Sequence, residues 1–97
     1  MLHIKNAQYI KNKLLNIEFI EYSGNHLVDL QEYINTKPFK LLKELNNENN
    51  FKDFKLDHGV ICWKNGFDIA PEYLFFLSHK NNPEYHDLFL EWGYLEE

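Results

Sequence analysis

Five apolar residues stand in a row at Tyr73-Leu74-Phe75-Phe76-Leu77, shortly after Pro71. Proline suits the first turn of a helix, where its missing amide costs no hydrogen bond. The spacing predicts a helix from Pro71 to about His79. Successive helix residues point about 100° apart, so this helix is apolar nearly all round. It has to be covered on more than one side. A sheet can cover one side, and the chain that follows can cover another. Asn81-Asn82-Pro83 breaks the first helix, and Pro83 starts a final helix running to about Trp92. On it Tyr85, Leu88, Phe89 and Trp92 fall at i, i+3, i+4 and i+7, with Glu84, Asp87 and Glu91 on the opposite face.

The covering sheet is predicted from the first sixty residues. Leu2 to Ile10 and Leu14 to Tyr22 read as strands joined at Lys11-Asn12-Lys13, with Leu15, Ile17 and Phe19 alternating. Ser23-Gly24-Asn25 is a turn, and His26 to Leu30 a short third strand. Asp29 and Glu32 have the spacing of a reciprocal helix cap, which places a helical turn over Leu30 to Ile34. Pro38 opens a helix to Leu45 with Phe39, Leu42 and Leu45 on one face, and Asn46 to Asn50 is a polar loop. Phe51 to Leu56 and Val60 to Trp63 read as a second hairpin turning at Asp57-His58-Gly59. The expected fold is a small two-layer α+β domain. An antiparallel or mixed sheet of about five strands, in the order βββ-α-ββ-α-α, packs against C-terminal helices.

Ninety-seven residues make one domain with a modest core. Aromatic residues are 16% of the chain. That is many for so small a core, which leaves some rings for an interface. The single cysteine, Cys62, excludes an internal disulfide and a multi-cysteine zinc site. No signal peptide is visible and no run approaches the roughly 20 apolar residues of a membrane span, so a cytoplasmic protein is expected. The open edges of such a sheet make a homodimer one further expectation.

Charge is unevenly spread. From Asn65 to Glu97 seven acids face one base, Lys80, a net −6; residues 1–64 carry nine Lys and eight acids, a net +1. The chain has no Arg. Specific DNA readers depend on Arg for bidentate base and phosphate contacts, so direct nucleic-acid binding is not expected.

The segment Val60 to Leu74 contains Trp63-Lys64-Asn65-Gly66-Phe67-Asp68, followed by Pro71-Glu72. This Trp-x-Asn-Gly-x-Asp core resembles the signature of the domain-of-unknown-function 2442 family. Val28-Asp29-Leu30 and the run from Phe39 to Phe51 are similar to its weaker upstream pattern. The resemblance covers roughly Leu2 to Leu77. Lys64 stands where the family often has Pro, Phe67 where it often has Ala, and Lys80 to Glu97 extend past its usual end. Family members are often small stand-alone proteins, some encoded beside another small protein in toxin–antitoxin-like pairs. The resemblance therefore implies a regulatory or binding role and assigns no catalytic residue. It divides the chain into a family-like part, residues 1–79, and a C-terminal acidic helical extension, residues 80–97, packed on it within one domain.

Physically the motif reads as structural. Trp63 is a core anchor at a strand end, Asn65-Gly66 a tight turn, and Asp68 an acceptor for the amides of the helix that starts at Pro71. Cys62 reads as a packed strand residue. The histidines His3, His26, His58, His79 and His86 form no recognised metal pair and are expected in turns or at the surface. Neither cofactor nor metal is expected.

The last helix has two readings. It completes the core with a solvated acidic face, or its acids, with Trp92, Tyr94, Glu96 and Glu97, dock onto a basic partner protein such as a toxin, a nuclease or a nucleic-acid-binding enzyme. The function expected first is a non-catalytic interaction module, antitoxin-like or inhibitor-like, binding through Glu84, Asp87, Glu91, Trp92, Tyr94 and Glu96. A nucleic-acid-linked regulatory accessory domain and a small enzyme are the alternatives. The enzyme would show a pocket joining Asp68 or a histidine with a displaced titration.

Overall fold

Two hairpins with the same kind of turn organise the sheets. The structure, a computed structural model, describes residues 1–96. Strand β1 (Ile4–Lys11) pairs antiparallel with β2 (Leu14–Phe19), and β2 with β3 (His26–Asp29). Asn12 and Lys13 link the first pair, both with positive φ, 50° and 67°. A two-residue hairpin turn needs that geometry to match strand twist. For a lysine it costs about 1–2 kcal/mol, and three contacts hold Lys13 in place. Its carbonyl accepts from Leu30 N–H at 3.0 Å, its Nζ lies 3.1 Å from Glu48 Oε2, and the Phe51 ring lies beneath the ammonium.

The second hairpin joins β4 (Phe54–Asp57) to β5 (Val60–Trp63), turning at His58 and Gly59 with φ 52° and 81°. A third strand, β6 (Asp68–Ile69), pairs with β5 on its other side. The single five-stranded sheet of the sequence reading is thus corrected to two three-stranded antiparallel sheets, ordered β1-β2-β3 and β4-β5-β6. The reason lies at β1. Register shifts flank its ends, and its link to the second hairpin is one bond, Ile4 N–H to Gly59 O at 3.0 Å. Strand β6 has two residues, too few for a period-two pattern to register.

The helices are α1 (Gln31–Thr36), α2 (Lys40–Lys43), α3 (Glu48–Phe51), α4 (Pro71–His79) and α5 (His86–Trp92), with 3₁₀ turns at Glu44–Asn46 and Pro83–Tyr85. The run from Asn46 to Asn50, expected as loop, instead enters α3, because the Asn47 side chain accepts from the amides of Asn49 and Asn50. Phe51 therefore ends a helix instead of starting the expected strand, which begins at Phe54. Phe39 is 49% exposed, while Leu42 and Leu45 are buried. Asp29 accepts from Gln31 N–H at 2.9 Å, but Leu30 holds the cap position of α1 with no side-chain bond, so the expected reciprocal cap is not formed.

Helix α4 lies against β3. Leu74, Phe75 and Phe76 are buried and Tyr73 and Leu77 half-buried, so the helix is covered on several sides. One buried cluster runs from Leu2 to Phe89 and takes in both sheets. Phe89 of α5 is fully buried, which stabilises by roughly 1.5–3 kcal/mol. The Leu2 amide donates to Glu72 at 2.6 Å, tying the N-terminus to α4.

Candidate functional site

The acidic C-terminal face is built outward from α5. Asn82 caps the turn before it by accepting from Glu84 N–H at 3.0 Å. Gly93 ends the helix with φ 85°, and Tyr94 N–H returns to Phe89 O at 3.0 Å. This left-handed stop reverses the chain, so that Tyr94 packs on Phe76 and Tyr73, both at 5.2 Å between ring centres. Trp92 lies against Phe89 at 5.8 Å. Both Trp92 and Tyr94 are half-buried, whereas Glu84, Asp87, Glu91 and Glu96 are exposed. Among the described residues none of these four carboxylates has an ion-pair partner. Glu97 lies outside the described residues.

The expected surplus of aromatic residues is spent inside. Among the described residues every Phe, Trp and Tyr except Phe39 is buried or half-buried. Phase by phase along the chain the rings converge on Phe75, which touches Phe19, Tyr22, Tyr85, Phe89 and Trp92. Burial raises the phenols of Tyr33, Tyr73, Tyr85 and Tyr94 above their ordinary value, because the charged form loses water.

The Trp63 motif forms a knot of internal bonds. Trp63 is buried and its indole N–H donates to Phe51 O at 2.7 Å. Asn65 bridges three segments: its amide nitrogen donates to Leu41 O at 2.9 Å and to Glu44 Oε1 at 2.8 Å, and its oxygen accepts from Phe67 N–H at 3.0 Å. Gly66, with φ 93°, makes the turn that Asn65 starts. Asp68 does not serve α4: it sits exposed in β6, and Ala70 holds the cap position with no side-chain bond. Pro71 is the first residue of α4 and is buried.

A cleft of about 450 Å³ beside this knot is lined by Glu44, Asn50, Asp53, Trp63, Lys64 and Asn65. Its polar groups answer one another, as in Lys64 Nζ with Asp53 Oδ2 at 2.6 Å. A second cleft, about 350 Å³, lies between α1 and α4 over Tyr33 and Tyr73, and a third, about 510 Å³, borders Lys5, Phe19 and Ser23. Neither Asp68 nor a histidine lines any of these three.

Two arrangements escaped the sequence reading. Lys13, expected in a polar break, is 5% exposed, and its partner Glu48 also accepts from the Tyr9 hydroxyl. Those two bonds hold the Glu48 carboxyl below its ordinary value, and the bond to Glu48 raises the Tyr9 phenol. His26, which is buried, and His79, which is half-buried, both expected in turns or at the surface, meet with 2.8 Å between their ring nitrogens. Both pairs join residues far apart in the chain, so no local pattern announces them. No group of three or more His, Cys, Asp or Glu suited to a metal ion occurs among the described residues, and none of their helices is long and apolar enough to cross a membrane. Comparison with protein-family models, with curated proteins and with solved structures gives no match.

Proposed function

We propose that this chain is a non-catalytic protein-binding module whose acidic C-terminal face receives a basic surface of another protein. The observation that carries the reading is the state of Glu84, Asp87, Glu91 and Glu96: exposed, and without an ion-pair partner among the described residues. Like charges on α5, on the 3₁₀ turn before it and just past its end repel one another, and a basic partner relieves that repulsion while steering its own approach. Phe89 and the Gly93 stop fix the backbone of α5, so the acids leave a rigid support. Trp92 and Tyr94 supply half-buried rims and not free anchors.

A partner of this chemistry is a basic toxin, a nuclease or a nucleic-acid-binding enzyme, which makes the module antitoxin-like or inhibitor-like. Kinship with the domain-of-unknown-function 2442 family belongs to the same proposal; its support is the Trp63-Asn65-Gly66-Asp68 pattern. The test is a pull-down from host lysate with the parent chain and with the triple variant E84K/D87K/E91K. The expected result is a basic protein held by the parent, released by salt of about 0.5 M, where charges are screened within a few ångströms, and not held by the variant. Equal retention by both, or retention by neither, overturns the proposal.

A further inference from the structure

The meeting of His26 and His79 has a fixed proton inventory. His26 opens β3 and is 8% exposed. Its Nε2 lies 3.2 Å from the carbonyl oxygen of Ser23, and its Nδ1 lies 2.8 Å from Nε2 of His79. A carbonyl only accepts, so neutral His26 carries its proton on Nε2 and presents a lone pair at Nδ1. The proton between the rings then belongs to Nε2 of His79. Nδ1 of His79 is left as the one basic nitrogen not already engaged within the pair.

Aromatic rings flank the pair, and His79 is half-buried. Phe19 of β2 stands 5.3 Å from His26, and Phe75 of α4 stands 4.6 Å from His79. Tyr85, on the turn that leads into α5, stands 5.1 Å from His79. The ionisable groups around the pair are Glu84 and Tyr85 of that turn, with Tyr22 packed behind Tyr85. Strand β2 contributes only the Phe19 ring, and Lys80, next in the chain, is exposed.

We propose that His26 and His79 form a proton-counting latch that ties β3 to the end of α4 and thereby seats the turn from which the acidic helix leaves. A first proton enters at Nδ1 of His79. The bond between the rings survives and becomes charge-assisted, and the Glu84 carboxylate favours the new charge. A second proton has to occupy Nδ1 of His26, which is the acceptor itself. It sets two cations 2.8 Å apart with no lone pair between them, and the latch opens. Burial, then the neighbouring His26, hold His79 below the ordinary imidazole value of 6.5. The folded chain therefore binds fewer protons than the unfolded chain in the window below that value. Stability is fully present above that value and falls as pH drops through the depressed one, first because a charge forms on the partly buried His79 and then, with the second proton, because the latch opens. The consequence for partner binding rests on the acidic face proposed above; the latch does not.

Nitrogen NMR of the imidazoles, thermal midpoints and affinity for a ten-lysine peptide test this on the full chain. His79→Gln keeps an N–H donor for Nδ1 of His26 but takes up no proton. Between about pH 7.5 and pH 5 the parent midpoint should fall by about 5 °C more than the variant's, and the parent should lose about tenfold in peptide affinity that the variant keeps. In the parent at neutral pH, His26 should be protonated at Nε2 and bare at Nδ1. Equal pH dependence of the two midpoints, or a proton on Nδ1 of His26 at neutral pH, overturns the latch. If His79→Gln does not fold, the NMR result on the parent decides alone. If the peptide binds neither chain while the midpoints separate as expected, the acidic-face reading fails and the latch stands.

Discussion

The carboxylates before Lys80 and those after it are used in opposite ways. Of the ten acids before Lys80, eight have a bonded partner. Glu21 meets His3, Glu48 meets Tyr9 and Lys13, Asp53 meets Lys64 and Asp57 meets His58. Glu18 and Glu44 accept from Asn6 and Asn65, and Asp29 and Glu72 from backbone amides. After Lys80 the described carboxylates of Glu84, Asp87, Glu91 and Glu96 have none. Most of the first set stitches separate segments together, while Asp29 and Asp57 bond within their own turns. The second set points away from the fold. A charge that the fold does not use is available to something else, and that contrast is what supports the proposed binding face at the end of the chain.

The largest way to break this contrast is to cut the joint between the two regions. Phe75 is fully buried and packs on Phe19 of the sheet and on Phe89 of the acidic helix. Phe75→Ala should cost about 3–5 kcal/mol, read as a lower urea midpoint; a loss under about 1 kcal/mol would show that the helix is not anchored through this ring. Gly59→Ala should cost less, about 1–2 kcal/mol. Its φ is +81° and a Cβ there would stand 3.2 Å from Cβ of His3, straining the bond that joins the second hairpin to β1. Gly66→Ala, with a similar φ and nothing within 4 Å, is the comparison that isolates the crowding.

Glu48 sharpens the contrast through pH. Its carboxyl is held below the ordinary 4.5, first by Tyr9 and then by Lys13. Stability from this group is therefore fully present above that value and lost as pH falls through the lowered one. Glu48→Gln should flatten the acid limb of a plot of urea midpoint against pH. An unchanged limb would mean that the cluster does not stabilise the fold. The smallest effect on stability belongs to E84K/D87K/E91K, whose thermal midpoint should stay within about 4 °C of the parent's. A large fall would show these acids to be structural, and the two regions alike.

Local pattern made several elements legible. Pro71–His79 is the predicted helix from end to end, and Val60–Trp63 the predicted strand. In both, one stiff signal dominates: a proline at a helix start, and a short β-rich run between turns. The exposure of Asp87 and Glu91 opposite Phe89 on α5 was legible too, since it follows from helical spacing, whereas Glu84 lies in a 3₁₀ turn, Pro83–Tyr85, where the first turn of the helix was expected. Asp68 was misplaced because two residues after a turn pair with β5 before the helix begins. The burial of Lys13 and of His26 depends on partners 35 and 53 residues away, which no periodicity encodes.

The row of apolar residues at Tyr73–Leu77 and the charge imbalance after Lys64 thus determined, by themselves, a helix covered on several sides and an acidic end. Periodicity and charge act through neighbours a few residues apart, and these were enough. Tertiary structure decided whether the sheet was one or two, where the rings went, and which charged or titratable groups were answered from within. Each of those depends on segments brought together from far along the chain, where a single bond, such as Ile4 to Gly59 or His26 to His79, settles the outcome.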